Sequence, residues 1–322
     1  MQQAQAQLTP AATTTPQAGV KRRRFRDDTG SRPGETLAAY LFLTPYLIVL
    51  GVFTLFVSLY GIGLSLFKLD IGFTAPEFIG LRNYQNLWNQ LSYISDSDFW
   101  TSMINIVKFV VVVVTGQTIL ALFMAILLQS IRFLRGVFRT IFYLPSVTSS
   151  VAVALIFLWF YNPQGVINYL LSLVHIPGPA WLEDPAWALP ALMLLNIWTT
   201  AATFMIFFLA ALQDVPRELY EAAEVDGANR YQVFWNITIP LLRPAIFFVV
   251  AIGTIGGFQM FDQAKFMTEG GPLNSTLTPL LEIYNTAFRD NHFGLAASMS
   301  VILFVIIFIV TIIQRRFIDV KI

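Results

Sequence analysis

Long runs without one charged side chain alternate along this chain with short segments where the charge is concentrated. The first run extends from Leu37 to Phe67, and others cover Phe109 to Ile131, Pro185 to Gln213, Pro244 to Phe261 and His292 to Gln314. A bilayer core takes roughly 20 apolar residues as α-helix, so each run is long enough, or nearly so, to cross one. A further run, Thr140 to Leu182, is 43 residues long and is broken by NPQG at 162–165 and PGP at 177–179. Its length suits a span plus a re-entrant or interfacial piece, with the Pro and Gly clusters marking the breaks. The pattern predicts an all-α polytopic membrane protein of six spans.

Composition narrows this to one class. Charged residues make up 12% of the 322, about half the usual ~25% of a soluble domain. Too few charges remain to solvate a water-facing surface. There is no Cys, which excludes disulfides and thiolate chemistry, and the two His residues, His175 and His292, are too far apart in sequence to suggest a metal site. Residues 1–35 read as a disordered tail ending in the basic cluster KRRRFRDD. The apolar run begins too late for that tail to be a signal peptide. Lys and Arg set the orientation. With both termini in the cytoplasm, fifteen of the twenty basic residues fall in the inside segments 1–35, 132–139, 213–243 and 315–322.

One inside segment departs from this pattern. Residues 213–243 carry five carboxylates (Asp214, Glu218, Glu221, Glu224 and Asp226) against Arg217, Arg230 and Arg243. Pro216 suits a first helical turn, and Asp214 is placed to accept its free N–H groups. Glu218, Glu221 and Glu224 recur every three residues and share a face, with Ala222 and Ala223 leaving the neighbouring surface low. Gly227 falls where a left-handed residue would close the helix. A second helix over Tyr231 to Ile237 is expected to stop at Pro240. The prediction is a helical elbow at the membrane surface with an acidic lip.

The succession Glu221, Ala222, Ala223, Asp226, Gly227, Ala228, Phe234, Ile237, Ile239, Pro240, Pro244 closely resembles the EAA loop of type I permeases of binding-protein-dependent ABC importers. The stretches LAAYLFLTPYLIVLGVFTLFVSLYGIGLSLF, FIGLRNYQNL, FRTIFYLPSV and FMTEGGPLNSTLTPLLEIYNTAFRDNHFGLAASMSVIL are similar to the maltose-type sugar permease branch. The resemblance covers residues 37 to 322. It implies a first transmembrane helix over 36–68, a type I transmembrane domain over 100–314 containing a coupling loop at 214–243, and a short cytoplasmic tail at 315–322. It also implies that the first helix of the elbow seats in a cleft of a cytosolic ATPase dimer. Glu221 would pair with a basic group there, Ala222, Ala223 and Gly227 would permit close approach, and Asp226 would belong to the same coupling surface. The chain has no GxxxxGK[ST] phosphate loop, so ATP would be bound by that partner and no cofactor by this chain. Further partners implied are a second, homologous permease subunit, an extracytoplasmic solute-binding protein and membrane lipid, in a prokaryotic cytoplasmic membrane. Nucleic acid is not among them.

Polar and small groups at membrane depth mark a candidate path, because unpaired polar groups are costly there and tend to line a cavity. Three clusters qualify: Thr115-Gly116-Gln117, NIWTTAATF at 196–204 and GTIGGFQMFD at 253–262. The alternative for the small residues is helix packing. The resemblance favours Thr200, Thr203, Gly253, Gly257 and Gln259 as substrate contacts, with Trp198, Phe258 or Phe261 available to stack on a sugar. Lys108, Asp262 and Lys265 fall near predicted span ends. The absence of deeper charge counts against an ion-coupled carrier, and no HExxH, Cys nucleophile or paired buried carboxylates indicate an enzyme. The resulting expectation is a sugar or oligosaccharide permease, with a glycerol-3-phosphate or polyol permease as the alternative.

Overall fold

The computed structural model describes residues 33–69, 76–92, 97–131 and 135–317. The expected tail up to residue 32 and the last five residues lie outside the described residues. The chain divides into two units, 1–56 and 57–322. In the first unit, α1 (Pro33–Val49) continues into a π-helical segment, Leu50–Phe56. Its side chains, among them Phe42 and Phe53, stand exposed, as suits a surface facing lipid or another subunit.

The second unit opens with α2 (Val57–Leu64) and a two-residue antiparallel ribbon, β1 (Phe67–Lys68) with β2 (Glu77–Phe78). This ribbon is the only sheet among the described residues. Helix α3 (Arg82–Gln90) is short and amphipathic, and α4 (Asp98–Ser130) is the longest helix described. Next come α5 (Arg135–Val147), α6 (Ser150–Phe160), α7 (Val166–Leu173) and α8 (Pro185–Gln213). The helices of the acidic segment are α9 (Arg217–Val225), α10 (Arg230–Val233) and α11 (Ile239–Leu241), with the π-helical run Phe234–Thr238 between the last two. After them come α12 (Arg243–Phe258), another π-helical segment Ala264–Thr268, α13 (Pro279–Phe288) and α14 (Phe293–Phe317).

Four continuous helices among the described residues are long and apolar enough to cross a membrane: Leu37–Leu64, Asp98–Ser130, Pro185–Gln213 and Phe293–Arg316. Two more candidates are bent pairs, Gly136–Val147 with Ser150–Phe160 at 95°, and Arg230–Leu241 with Arg243–Phe258 at 65°. The run at 140–182 therefore contains a broken helix, and the run at 244–261 is the second arm of another. The NPQG cluster does separate α6 from α7, and the PGP segment lies outside helix. The sharper break falls at Thr148-Ser149, where no Gly or Pro marks it.

Packing centres on α4 against α8. Buried residues of α4 recur at three- and four-residue intervals (Phe99, Met103, Ile106, Val110, Val113, Gln117, Ala121, Ala125, Leu128), so one face of the helix is turned inward along its length. Ala121, Ala125 and Ala201 are fully buried in one cluster with Met205, Phe208 and Leu209. Small residues let helix backbones approach closely, which matters in lipid because van der Waals contact rather than the hydrophobic effect holds helices together there. Asp184 starts α8 by accepting the Ala186 N–H at 2.8 Å, with Pro185 in the first turn. Trp181 packs edge-on against Trp187 beside this helix start.

The α4 helix begins eleven residues before the uncharged run does, so Lys108 lies within the helix, on its exposed side, and not at its end. Charge had cut the run short without ending the helix. At the start of α4, Asn105 donates to the carbonyls of Asn274 (2.8 Å) and Leu277 (3.2 Å), and Asn274 donates to Asp98 at 2.7 Å. The loop 269–278 is further tied by Thr268 to Thr276 (2.7 Å) and by Thr276 to the Gly271 carbonyl (2.7 Å).

Candidate functional site

The elbow forms as two capped helices. Pro216 precedes α9, and the chain closes that helix with Gly227 at φ +75. The Ala228 N–H reaches the Ala223 carbonyl at 2.9 Å and the Gly227 N–H reaches that of Glu224 at 3.1 Å, the paired bonds of a left-handed helix closure. A Cβ on Gly227 would meet nothing within 4 Å, so backbone conformation and not space requires glycine there. Asn229 then starts α10 with reciprocal bonds to Gln232, at 2.8 and 2.9 Å. Two orphan donors are satisfied at once.

Three details of the elbow differ from the sequence reading. No side chain caps α9, and Asp214 instead ends α8. Ala223 is buried, so of the two alanines only Ala222 lies open beside Glu221. Pro240 does not stop the second helix. The π-helical turn before it carries the Ile239 N–H back to the Phe234 carbonyl, and the Leu242 N–H still reaches Thr238 at 3.0 Å, so the helical run absorbs a residue that has no N–H of its own. The break comes at Leu242, ahead of Arg243-Pro244.

Glu218, Glu221, Glu224 and Asp226 are all exposed, and so are Leu219 (41%) and Val225 (88%). The acidic lip therefore carries apolar side chains too. Sequence reasoning did not single these out, although their interleaving with the glutamates was visible. An exposed surface that mixes carboxylates, a small residue and bare aliphatic groups suits a protein partner better than water alone.

The candidates at depth are arranged differently. Thr200 donates to Gln117 Oε1 at 2.6 Å, and its hydroxyl lies 2.6 Å from the Asn196 carbonyl. Gln117 is 1% exposed. A Cβ on Gly253 would lie 2.1 Å from Gln117 Nε2, and one on Gly257 would lie 3.1 Å from Val110 Cγ2. Gly116 similarly receives Ile197. These positions bring α4, α8 and α12 together, as helix packing requires. Thr203 is half-buried on α8, apart from that network. Gln259 is exposed and faces a groove of about 420 Å³ shared with Ile255, Ser300 and Phe304. Of the aromatic candidates, Phe258 is buried in the core, Phe261 packs on Tyr284, and Trp198 is 45% exposed beside Phe157. Asp262 accepts from Ser150, which links the segment after α12 to the start of α6. Thr254 and Gln314, joined at 2.8 Å, tie α12 to α14 and were not singled out from sequence.

A third feature had no motif to announce it. Asp98, Glu282, Asp290 and His292 line a cavity of about 540 Å³ with Asn89 and Gln90. Burial pushes the Glu282 carboxyl up to about 6, with Asp98 and Asp290 pushing the same way and a bond from Thr286 opposing them. Among the described residues no group of His, Asp and Glu has the arrangement to hold a metal ion.

Buried helix-packing polar pairs, helices long and apolar enough to cross a membrane with exposed apolar faces, and an exposed capped elbow define a polytopic α-helical membrane protein. Residues 117–319 match the family described as the binding-protein-dependent transport system inner membrane component, and the chain belongs to that family. It is similar to the probable ABC transporter permease protein YesP of Bacillus subtilis, with 37% identity over 87% of this chain and 89% of the relative. The lactose transport system permease protein LacF of Rhizobium radiobacter is also 37% identical, over 85% of this chain and 92% of its own. In a crystal structure of a bacterial ABC transporter involved in the import of the acidic polysaccharide alginate, one chain superposes with a TM-score of 0.76 at 23% identity. That match covers 88% of this chain and 96% of the other, and shares the fold. The protein is thus a non-catalytic, multi-pass inner-membrane permease subunit of an ABC importer, acting with a separate ATPase.

Proposed function

We propose that this chain carries a carbohydrate, a sugar or oligosaccharide, across the cytoplasmic membrane by alternating access, with α9 as the handle by which an ATPase dimer drives it. The observation that carries this reading is the elbow. Glu218 and Glu221 project from a helix with sharp ends, where they are open to a partner. Glu221 pairs with a basic group of the ATPase, Ala222 gives close approach, and Ala223, Asp226 and Gly227 hold the helix in its seat. Both termini and the elbow lie on the cytoplasmic side, supported by the Lys and Arg bias. Six spans result when each bent pair counts as one crossing.

The carbohydrate reading is supported by relatives named for lactose, sulfoquinovosyl glycerol and arabinooligosaccharide transport. A second, homologous permease subunit and an extracytoplasmic solute-binding protein complete the importer. Thr200, Thr203, Gly253, Gly257 and Gln259 belong to the path; in the conformation described, Gln259 faces an open groove, while Thr200 and the glycines are held in helix contacts that rearrange during the cycle.

The test uses Glu221→Lys and Gly227→Pro. Both are expected to reach the membrane while losing co-purification of the ATPase and substrate-stimulated ATP hydrolysis. If both variants keep wild-type values in both assays, α9 is not the handle. Screening sugars against the cognate solute-binding protein identifies the cargo, and failure of every carbohydrate to bind overturns that part of the reading.

A further inference from the structure

Two candidate spans end near one another, α4 at Ser130 and the bent run that starts at Arg230. Between them opens a cavity of about 420 Å³, lined by Ile126 one turn from the end of α4, by Val233 and Phe234, and by the charged residues Glu224 and Arg230. Tyr220 and Thr238, also on its wall, hydrogen-bond each other at 3.3 Å. Glu224 and Arg230 are both exposed, and among the described residues neither side chain has an ion pair or hydrogen bond. A carboxylate and a guanidinium thus face one small cavity unpaired, against an apolar wall that continues toward the membrane. Beside them Tyr231 is 72% and Trp235 50% exposed, with the two rings 6.2 Å apart. Exposed aromatic side chains of this kind sit at the level of lipid headgroups.

We propose that this cavity holds the headgroup of an aminophospholipid, with its phosphate on Arg230 and its primary ammonium on Glu224. The pair of opposite charges selects the ligand. An anionic headgroup would satisfy Arg230 but bring a second negative charge toward Glu224. A quaternary ammonium headgroup would satisfy the phosphate contact but has no N–H to give the carboxylate. The acyl chains follow Ile126, Val233 and Phe234 into the bilayer, which is why the source is a membrane lipid and not a free phosphoester. The assignment does not depend on which solute crosses.

The full-length chain, purified with the subunits that accompany it from the membrane, is washed free of lipid. It is then offered equal amounts of dioleoyl phosphatidylethanolamine, phosphatidylglycerol and phosphatidylcholine, and bound lipid is counted by native mass spectrometry. Phosphatidylethanolamine is expected to exceed each of the others by about fivefold, the scale of one basic contact at a membrane surface. Glu224→Gln should lower it to the phosphatidylcholine level, and Arg230→Gln should remove the excess as well. Soluble phosphoethanolamine at the same concentration should not displace it. Equal retention of the three lipids, a preference for phosphatidylglycerol, or an unchanged phosphatidylethanolamine excess in either variant overturns the proposal. So does displacement by the soluble headgroup. Loss of ATPase co-purification in Arg230→Gln with lipid retention unchanged would assign the cavity to the protein partner instead.

Discussion

The elbow and the polar cluster at membrane depth contain similar small and polar residues but are held in opposite ways. In the elbow, Gly227 has open space around its missing Cβ and is required by its own backbone angle, and Asn229 and Gln232 satisfy each other three residues apart. At depth, Gly253 and Gly257 have ordinary backbone angles and are required by what another helix pushes against them. One region is built by rules that act within a few residues. The other is built by contacts 80 or more residues apart in the chain, such as Thr200 with Gln117. A glycine in the first can be replaced at a local conformational cost, whereas a glycine in the second can be replaced only if the facing helix changes too.

The largest test of this contrast is at Gly253. Gly253→Leu is expected to lower the thermal stability of the purified protein severely, because overpacking a tight helix contact costs about 1–3 kcal/mol and occasionally more. Gly253→Ala should cost less, and adding Gln117→Ala should recover most of the loss. Strictly additive losses in that cycle would show that the two residues do not press on each other.

Thr200→Val comes next. It leaves Gln117 Oε1 buried with no donor, and about 1–3 kcal/mol of stability should go with it. A melting temperature equal to wild type would mean that the bond contributes nothing. Gly227→Ala should cost about 1–2 kcal/mol of local stability, the price of a left-handed non-glycine residue. That loss should appear as faster amide exchange confined to α9 and α10, and a global loss would place Gly227 in the same class as Gly253.

The smallest effect concerns Glu282. Burial pushes its carboxyl up to about 6 from the ordinary glutamate value of 4.5, so ionising it works against the folded state. The stability it allows is fully present below pH 4.5 and is lost as the pH rises through about 6. Across that window Glu282→Gln should flatten the slope of melting temperature against pH, and an identical slope in the variant would exclude Glu282 as its source.

The elbow was largely legible because its signals are local: Pro216 before a helix, Gly227 after it and carboxylates at a fixed interval. Even there, Ala223 looked like open surface until its burial was seen, and Pro240 looked like a stop because a π-helical turn has no sequence signature. The longest spans were legible as uncharged runs, but Lys108 hid the first three turns of α4. The 95° break at Thr148-Ser149 was not legible, since neither residue breaks a helix by itself. At depth the residues were found but their present employment was not. Gln117, Thr200 and Gly253 carry the same letters whether they face a solute or one another. The Glu282 cavity brings together Asp98 and Asp290, which no spacing rule connects.

Helix α4 reaches from the loop that Asn105 grips to the cavity beside Ile126, and its 33 residues extend about 50 Å without interruption. A rigid strut of that length has no joint at which motion could be lost. A tilt of that strut as one body at the elbow end appears reversed in direction at the far loop, so leverage alone links its two ends.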